Sequence, residues 1–522
     1  MATSVDTVVV GAGTNGLVAA IALARGGSKV IVVEPNDDLG GAFREVEFAP
    51  GFKAAPLAGD LGYLAPDVVR GIGLGALLES RSDPTVISIA GGEPLSLYRQ
   101  VDRTAAGLKR FSAKDAEKWP AFAKRIHDLA SFFGQVYRNA PPRIDANTIG
   151  EFLTLAGLGR KLRGMGKVAM VEVLRTVPMA VAELVDDWFE SDRLKGTIAS
   201  LGVGDICQGP ISGGTAFTLL HRHVGAGLGV FGERLQLRDG PQALISALAD
   251  RAEAAGVAIQ KGAVARVVVR DDRVAGVVLE SGDEIGCREV VSTLDPYRSM
   301  LELVDPIHLD PEFIQAIRNV RFRGVTTKIL VALDGLPAVP GVAPSELNGT
   351  LVVAPSVRYL EKAYDATKYG QSSSEPFLEV RFPSVAQARL APAGKHVAVI
   401  SVQYTPYALR GAQWDQQRDV VADRAIGLLD QSLPGFASRV TSRTVLTPRD
   451  LETRFGLREG AVSQGEMMLD QILFMRPVAG WARHAMPVAG LFLGGAGTHP
   501  GGGITGMPGW LAAQSVVARR KA

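Results

Sequence analysis

The chain has 522 residues, 47% of them hydrophobic and 21% charged, with a formal net charge of +2. That length points to two domains, or to one large domain with a long insertion, and the near-neutral balance leaves no electrostatic footprint for nucleic acid. Cys207 and Cys287 are the two cysteines, far apart and outside any CxxC pair, which argues against a disulfide scaffold or a thiol redox motif and fits a reducing, cytoplasmic compartment.

The N-terminus shows no basic and apolar regions of a signal peptide, and no run of 18 apolar residues suggests a membrane span. Residues 7–10, TVVV, form a β-branched run suited to a buried parallel strand. Gly11, Gly13 and Gly16 follow with GxGxxG spacing, then an alanine-rich helix that ends at Gly26–Gly27. A second strand, KVIVV, ends at Glu34.

This order carries a mechanism. Gly11 permits a tight turn, Gly13 lets a pyrophosphate approach the backbone, and Gly16 lets helix pack on strand. The helix N-terminus offers N–H groups to phosphate, and Glu34 stands where a carboxylate takes ribose hydroxyls. Asn15, inside the same loop, is a further candidate for the cofactor. Gly40 and Gly41 add a second glycine pair suited to the flavin dinucleotide FAD, with Arg44 as a cationic partner; a solvated turn is the other reading.

Residues 101–200 read as mostly helical, with His127 on a helix surface. The stretch 166–190 is unusually apolar and is interrupted by Pro178. Lining of an apolar cavity is its main reading. Peripheral membrane contact, helped by Lys161, Arg163 and Lys167, is the lesser one because four acidic residues lie within it. His221 and His223 lack the neighbours of a metal site, and no metal is expected.

From 238 to 300 a helix and a short strand precede an antiparallel unit with turns at Asp271–Asp272 and Ser281–Gly282. The segment around Val264 is the candidate to offer backbone groups to an adenine. Longer strands between 321 and 410 predict an antiparallel sheet, one face of which can floor a cavity. Tyr404 and Tyr407 are either pocket residues or packing aromatics. Near the C-terminus, LFLGGAGTHPGGGITG reads as a second strand–loop–helix unit whose helix starts near Thr505–Gly506. Its N-terminal end would favour negative charge on a reduced flavin.

The segments VVVGAGTNGLVAAIALARGG, EPNDDLGGAFR, LTPRDLETRFG and GEMMLDQILFMRPVAGWARHAMPVAGLFLGGAGTHPGGGITGMPGWLAA resemble the phytoene desaturase-related FAD oxidoreductases. Within them the chain is most similar to the mitochondrial pyridine nucleotide-disulphide oxidoreductase-domain branch and its bacterial relatives. The resemblance implies an α/β fold of the amine oxidase and phytoene desaturase type: a Rossmann-like FAD-binding domain and a discontinuous α+β substrate domain. The FAD-binding segments would be 1–75, 236–300 and 456–522; a largely helical segment, 76–235, and a sheet segment, 301–455, would form the substrate domain.

It also implies hydride removal to flavin, making a C=C or C=N bond, with oxygen or a quinone as the later acceptor. Gly11, Gly13, Gly16, Glu34, Gly40, Gly41 and Arg44 match the family's cofactor positions, and Gly497, Thr498 and Gly506 match its C-terminal loop. The chain departs from the branch's name, since it has no paired redox cysteines. A small-molecule substrate, long and apolar, is expected from the apolar middle helices. His499, in the glycine loop, is the first candidate proton acceptor; Arg483, with His484, is the second and Tyr404 the third. An amine oxidase, using Arg476, Arg483 or Trp481 to hold substrate, is an alternative. So are a flavin isomerase without net redox change and a flavin-binding structural or regulatory protein.

Overall fold

The computed structural model describes residues 3–57, 61–77, 79–142, 156–157, 159–160, 162–164 and 166–521. A five-stranded, all-parallel sheet runs in the order 258–261, 30–34, 7–10, 289–292, 491–493. Its inner strands are covered on both faces, which is why they read as continuous β-branched runs rather than as alternating patterns. Val9, Val32 and Val291 face the helices Thr14–Arg25 and Met507–Lys521. Val8, Val10, Ile31, Val33 and Val290 face a four-stranded sheet that includes Val264–Arg270 and Arg273–Leu279. Asp271 and Asp272 turn between those two strands with φ of 51° and 56°, the left-handed pair a two-residue hairpin needs.

The larger sheet has seven strands in the order 440–446, 326–333, 396–403, 377–381, 350–353, 86–88, 95–97. Its pairs are antiparallel except 350–353 with 86–88. The strands at 86–88 and 95–97 come from the stretch expected to be largely helical. Ile329, Val331 and Ile400 pack with Val421, Ala425 and Leu429 of the helix Trp414–Ser432. The opposite face carries Lys328, Ser401 and Glu379 as register partners on three adjacent strands. This is the face that floors a cavity, as the antiparallel pattern predicts.

Pro178 does interrupt the apolar middle stretch: one helix spans Lys167–Thr176 and the next Val181–Trp188. The first of them does not line the cavity. Val168, Val171 and Leu174, at helical spacing, are 76%, 48% and 61% exposed. Lys161, one of the basic residues weighed for membrane contact, lies outside the described residues. Among the described residues, no helix is long and apolar enough to cross a membrane.

Candidate active site

Three loops leave the carboxyl edge of the parallel sheet side by side. Gly11 N–H donates to Val33 O (2.8 Å), Thr293 N–H to Val10 O (3.0 Å) and Gly494 N–H to Ser292 O (2.8 Å). The strand order reverses around 7–10, so this is the crevice where open α/β sheets bind ligands.

The three glycines of the first loop have different reasons. Gly11 has φ of +97°, and a Cβ there would stand 2.6 Å from Thr293 Oγ1. A Cβ on Gly16 would stand 1.9 Å from Gly11 O. A Cβ on Gly13 would meet nothing nearer than Gly41 Cα at 4.0 Å. The protein itself needs the first and third glycines; the second leaves open ground for a ligand. Gly40 and Gly41, at φ of +115° and +56°, carry the second glycine pair against Gly13.

The residues present fit a dinucleotide. The helix Thr14–Arg25 has no side-chain N-cap, so its first N–H groups remain for a phosphate. Asn15 Oδ1 is buried at the same place with no partner. Glu34 is buried and accepts from Ala12 N–H (2.8 Å) and Asn36 Nδ2 (2.6 Å). These bonds hold the carboxylate at the strand end and leave lone pairs for ribose hydroxyls. Gly262 N–H donates to Glu34 O (2.9 Å), which brings the start of the strand at Val264 to the same end.

Arg44 is elsewhere. Its guanidinium donates to Arg454 O (2.8 Å) and lies 5.1 Å from the centre of the Phe455 ring. Its neighbours Ala42 and Phe43 line the cavity in its place. The three-residue 3₁₀ turn at Gly41–Phe43 rotates the chain, so Arg44 leaves in extended conformation toward the segment at 454–455 rather than toward the cofactor loop.

The C-terminal loop is also built differently from the expectation. A Cβ on Gly497 would stand 2.4 Å from Pro296 Cδ, and Thr498 Oγ1 donates to Gly495 O (2.8 Å). Gly506, at φ of +73°, packs on Val18. These three shape the loop from behind, while Ala496 and residues 501–505 line the cavity. Thr505 ends that stretch just before the helix Met507–Lys521, so the helix start is where the sequence puts it.

None of the three candidate catalytic residues reaches the cavity wall. His499 is fully buried behind the loop, 5.8 Å from the centre of the Tyr137 ring, and among the described residues neither ring nitrogen has a partner at good hydrogen-bond geometry. Burial pushes its imidazole down to about 3, so it is neutral and a poor proton acceptor near pH 7. Tyr404 is fully buried, donates to Gln208 O (2.9 Å), and is raised well above the usual phenol range by burial. Its ring packs against that of Tyr364, centres 5.6 Å apart, and Tyr407 donates to Glu452. Arg483 is exposed on the surface, where its carbonyl accepts from Ser515 Oγ (3.1 Å).

The residues weighed for an amine oxidase are also away from the cavity. Arg476 is buried and donates to the carbonyls of Ala496, Glu466, Gln471 and Ser463, tying the glycine loop to the segment before it. Trp481 packs edge-on to Phe313 at 5.4 Å.

The cavity runs from Thr14 and Asn15 past Phe43 and Leu57 to Ser463 and Met467, and reaches the floor of the larger sheet. His221 stands in its wall. Its Nε2 is 2.7 Å from Gly502 O and must carry the proton, so Nδ1 accepts from Tyr137 Oη–H at 2.8 Å. Lys328 Nζ donates to Ser401 Oγ (2.8 Å) and lies 3.4 Å from Asp205 Oδ1. Arg222 Nη2 lies 3.6 Å from Asp205 Oδ2. Burial acts to raise Asp205, but Lys328 and Arg222 outweigh it and hold the carboxyl below its usual range. Sequence reasoning missed all three. The available signal was a lysine inside TTKILVAL, a strand with every residue buried. Among the described residues no group of His, Cys, Asp and Glu could hold a metal.

A glycine cradle at the switch point, opening into a cavity on a second sheet, defines a dinucleotide-dependent oxidoreductase. Residues 9–58 match the NAD(P)-binding Rossmann-like domain, and residues 108–516 match the flavin containing amine oxidoreductase model. The chain belongs to the flavin containing amine oxidoreductase family, and it is an FAD-dependent enzyme.

The rat (Rattus norvegicus) pyridine nucleotide-disulfide oxidoreductase domain-containing protein 2 is 34% identical over 98% of this chain and 93% of its own length. The lycopene-forming phytoene desaturase of a Paracoccus species is 23% identical over 96% and 95%. Among solved structures, putrescine oxidase bound to putrescine is similar with a TM-score of 0.59, 14% identity and 99% of both chains covered. That last likeness speaks for the fold. Cys207 and Cys287 are both free.

Proposed function

We propose that this enzyme removes a hydride from a C–H bond of a small organic substrate with an apolar body, forming a double bond. Oxygen or a quinone, reduced to hydrogen peroxide or a quinol, would take the electron pair afterwards. The observation that carries the reading is the continuity of one cavity, from the uncapped helix at Thr14 and Asn15 to the polar floor at Lys328 and Ser401.

FAD would be held by Gly11, Gly13, Asn15, Gly16, Glu34, Gly40 and Gly41, with the backbone around Val264 at the adenine end. Bound there, it supplies the two-electron acceptor for the hydride. The chain does the rest. Leu201, Leu219 and Phe231 exclude water around the substrate. Hydride loss beside a nitrogen leaves a C=N cation and needs no base. Hydride loss beside a carbon also needs a proton acceptor, and the carboxylates Asp205 and Glu379 stand in the described wall with lone pairs to take that proton. The unpaired cysteines favour a reducing, cytoplasmic compartment.

Amine oxidation is the second reading, supported by the family match. The described wall speaks against a cationic amine: it holds Arg222, Arg234, Lys328 and Arg381 against Asp205 and Glu379. The test is anaerobic. The flavin band of the purified protein is recorded while candidate substrates are added by class, and oxygen is then admitted. Bleaching by an alkene-forming substrate and recovery in oxygen are the expected result. Bleaching by amines alone would transfer the reading to an amine oxidase, and a band that no class bleaches would leave an isomerase or a non-catalytic flavoprotein.

A further inference from the structure

We propose that the substrate carries an anionic head, a carboxylate or a group of like charge, and that Lys328 and Arg222 receive it. This rests on reading the cavity as the redox site. Lys328 projects from the middle of a strand with every residue buried and is itself 6% exposed. It and Arg222 share one carboxylate, Asp205. Their other acceptors, Ser401 Oγ and Gly204 O, are neutral. Two cations on one anion leave a surplus positive charge. An ammonium has three donors, and Ser401 and Asp205 occupy two of them.

A surplus charge in a low-dielectric wall is unfavourable until an anion or water completes it. The other charged groups on the described wall do not remove the surplus. Glu379 is taken by Arg381 at 3.2 Å. Leu201, Ile206 and Leu219 stand in the same wall. The combination fits an apolar body ending in an anion. It excludes neither half of the expectation of an apolar substrate, but adds the group that orients it. An amine in that place would meet Lys328 and Arg222 as like charges.

The test titrates the FAD-loaded protein with hexanoate and octanoate, their amides and their amines. Calorimetry reads affinity, and the visible flavin band reads whether the ligand reaches the cofactor. The acids are expected to bind about tenfold or more tighter than the amides, with the amines weakest. Lys328→Met should weaken acid binding about tenfold or more while leaving amide binding and FAD content unchanged. Asp205→Asn should tighten acid binding, because it removes the competing carboxylate, and a merely structural role would not do that. Arg222→Met serves as the second cation variant where Lys328→Met does not fold.

Equal affinity for acids and amides, or tightest binding of amines, overturns the proposal. So does a Lys328→Met protein that loses FAD while keeping its acid affinity, since the surplus charge would then serve the cofactor. Failure of the native protein to take up FAD sinks the redox reading instead. Calorimetry on that apoprotein still decides between acid and amide.

Discussion

Glu34 is the side chain on which dinucleotide affinity is expected to depend most, because it is buried, held by Ala12 N–H, and adjacent to the Gly13–Gly41 opening. Glu34→Ala is expected to lower FAD affinity about tenfold or more while the fold persists, since a charge-assisted bond contributes about 1.5–3 kcal/mol. The flavin-to-protein ratio after gel filtration checks it; undiminished retention would remove Glu34 from the site. Arg476 is the opposite kind of residue. Its buried guanidinium has no free face, and Ala496 O accepts from it twice, at 3.0 and 2.7 Å. Arg476→Met should cost about 3 kcal/mol or more of stability, because several buried carbonyls lose a charged donor at once. Chemical denaturation reads this directly. Glu34 was legible from its distance to a glycine loop. Arg476 was not, because its acceptors lie on segments that only fold back together in three dimensions.

At the scale of elements, the helix Lys167–Thr176 shows how composition misleads. Its apolar content predicted an internal lining, yet Val173 and Thr176 alone are buried, and Val168, Val171 and Leu174 face outward. Replacing those three by glutamine is expected to change stability by about 1 kcal/mol or less, because exposed side chains away from caps and cores contribute little. A larger loss in thermal unfolding would mean that this face is covered. The crossing of helices Thr14–Arg25 and Met507–Lys521 behaves otherwise. A Cβ on Gly509 would stand 1.9 Å from Asn15 O, in the turn that offers N–H groups to the cofactor. Gly509→Ala should therefore lower flavin content as well as the unfolding midpoint. A lower midpoint with full flavin content would show that the crossing acts on stability alone. Gly509 follows the glycine cluster by only a few residues, but nothing local marks it as a helix contact.

Across the whole molecule, four buried histidines set the acid limit. Burial pushes His221 and His223 to about 3, and His484 to about 4, alongside His499. Each is neutral when folded and has a lower pKa there than the roughly 6.5 of an unfolded chain. The unfolded state therefore takes up protons first as pH falls. Stability is fully present above about pH 6.5 and declines below it, by up to about 1.4 kcal/mol per pH unit for each histidine. Unfolding midpoints should be level from pH 8 to 7 and fall steeply from pH 6 to 5. His223→Asn should reduce that slope by about one proton; an unchanged level to pH 5 would contradict neutral burial. The sequence singles out His499 as a candidate proton acceptor, but nothing local marks any of the four as a neutral core residue, because the segments that bury them come from far along the chain.

The nucleotide-binding half was readable from the amino-acid sequence because its physics is local. A buried strand, a turn that needs left-handed φ, a helix start and an acid lie within 34 residues, and their spacing is their function. The same locality made the hairpin at Asp271–Asp272 and the break at Pro178 legible. The proposed substrate end was decided by tertiary structure. Lys328, Arg222 and Asp205 meet because a sheet strand, a helix and a loop at positive φ converge on one cavity. The sequence likewise put His499 in the right loop but could not say which side of that loop it faces. Burial settles that question: a side chain on the packed side becomes a neutral core residue, while the backbone opposite it forms the wall.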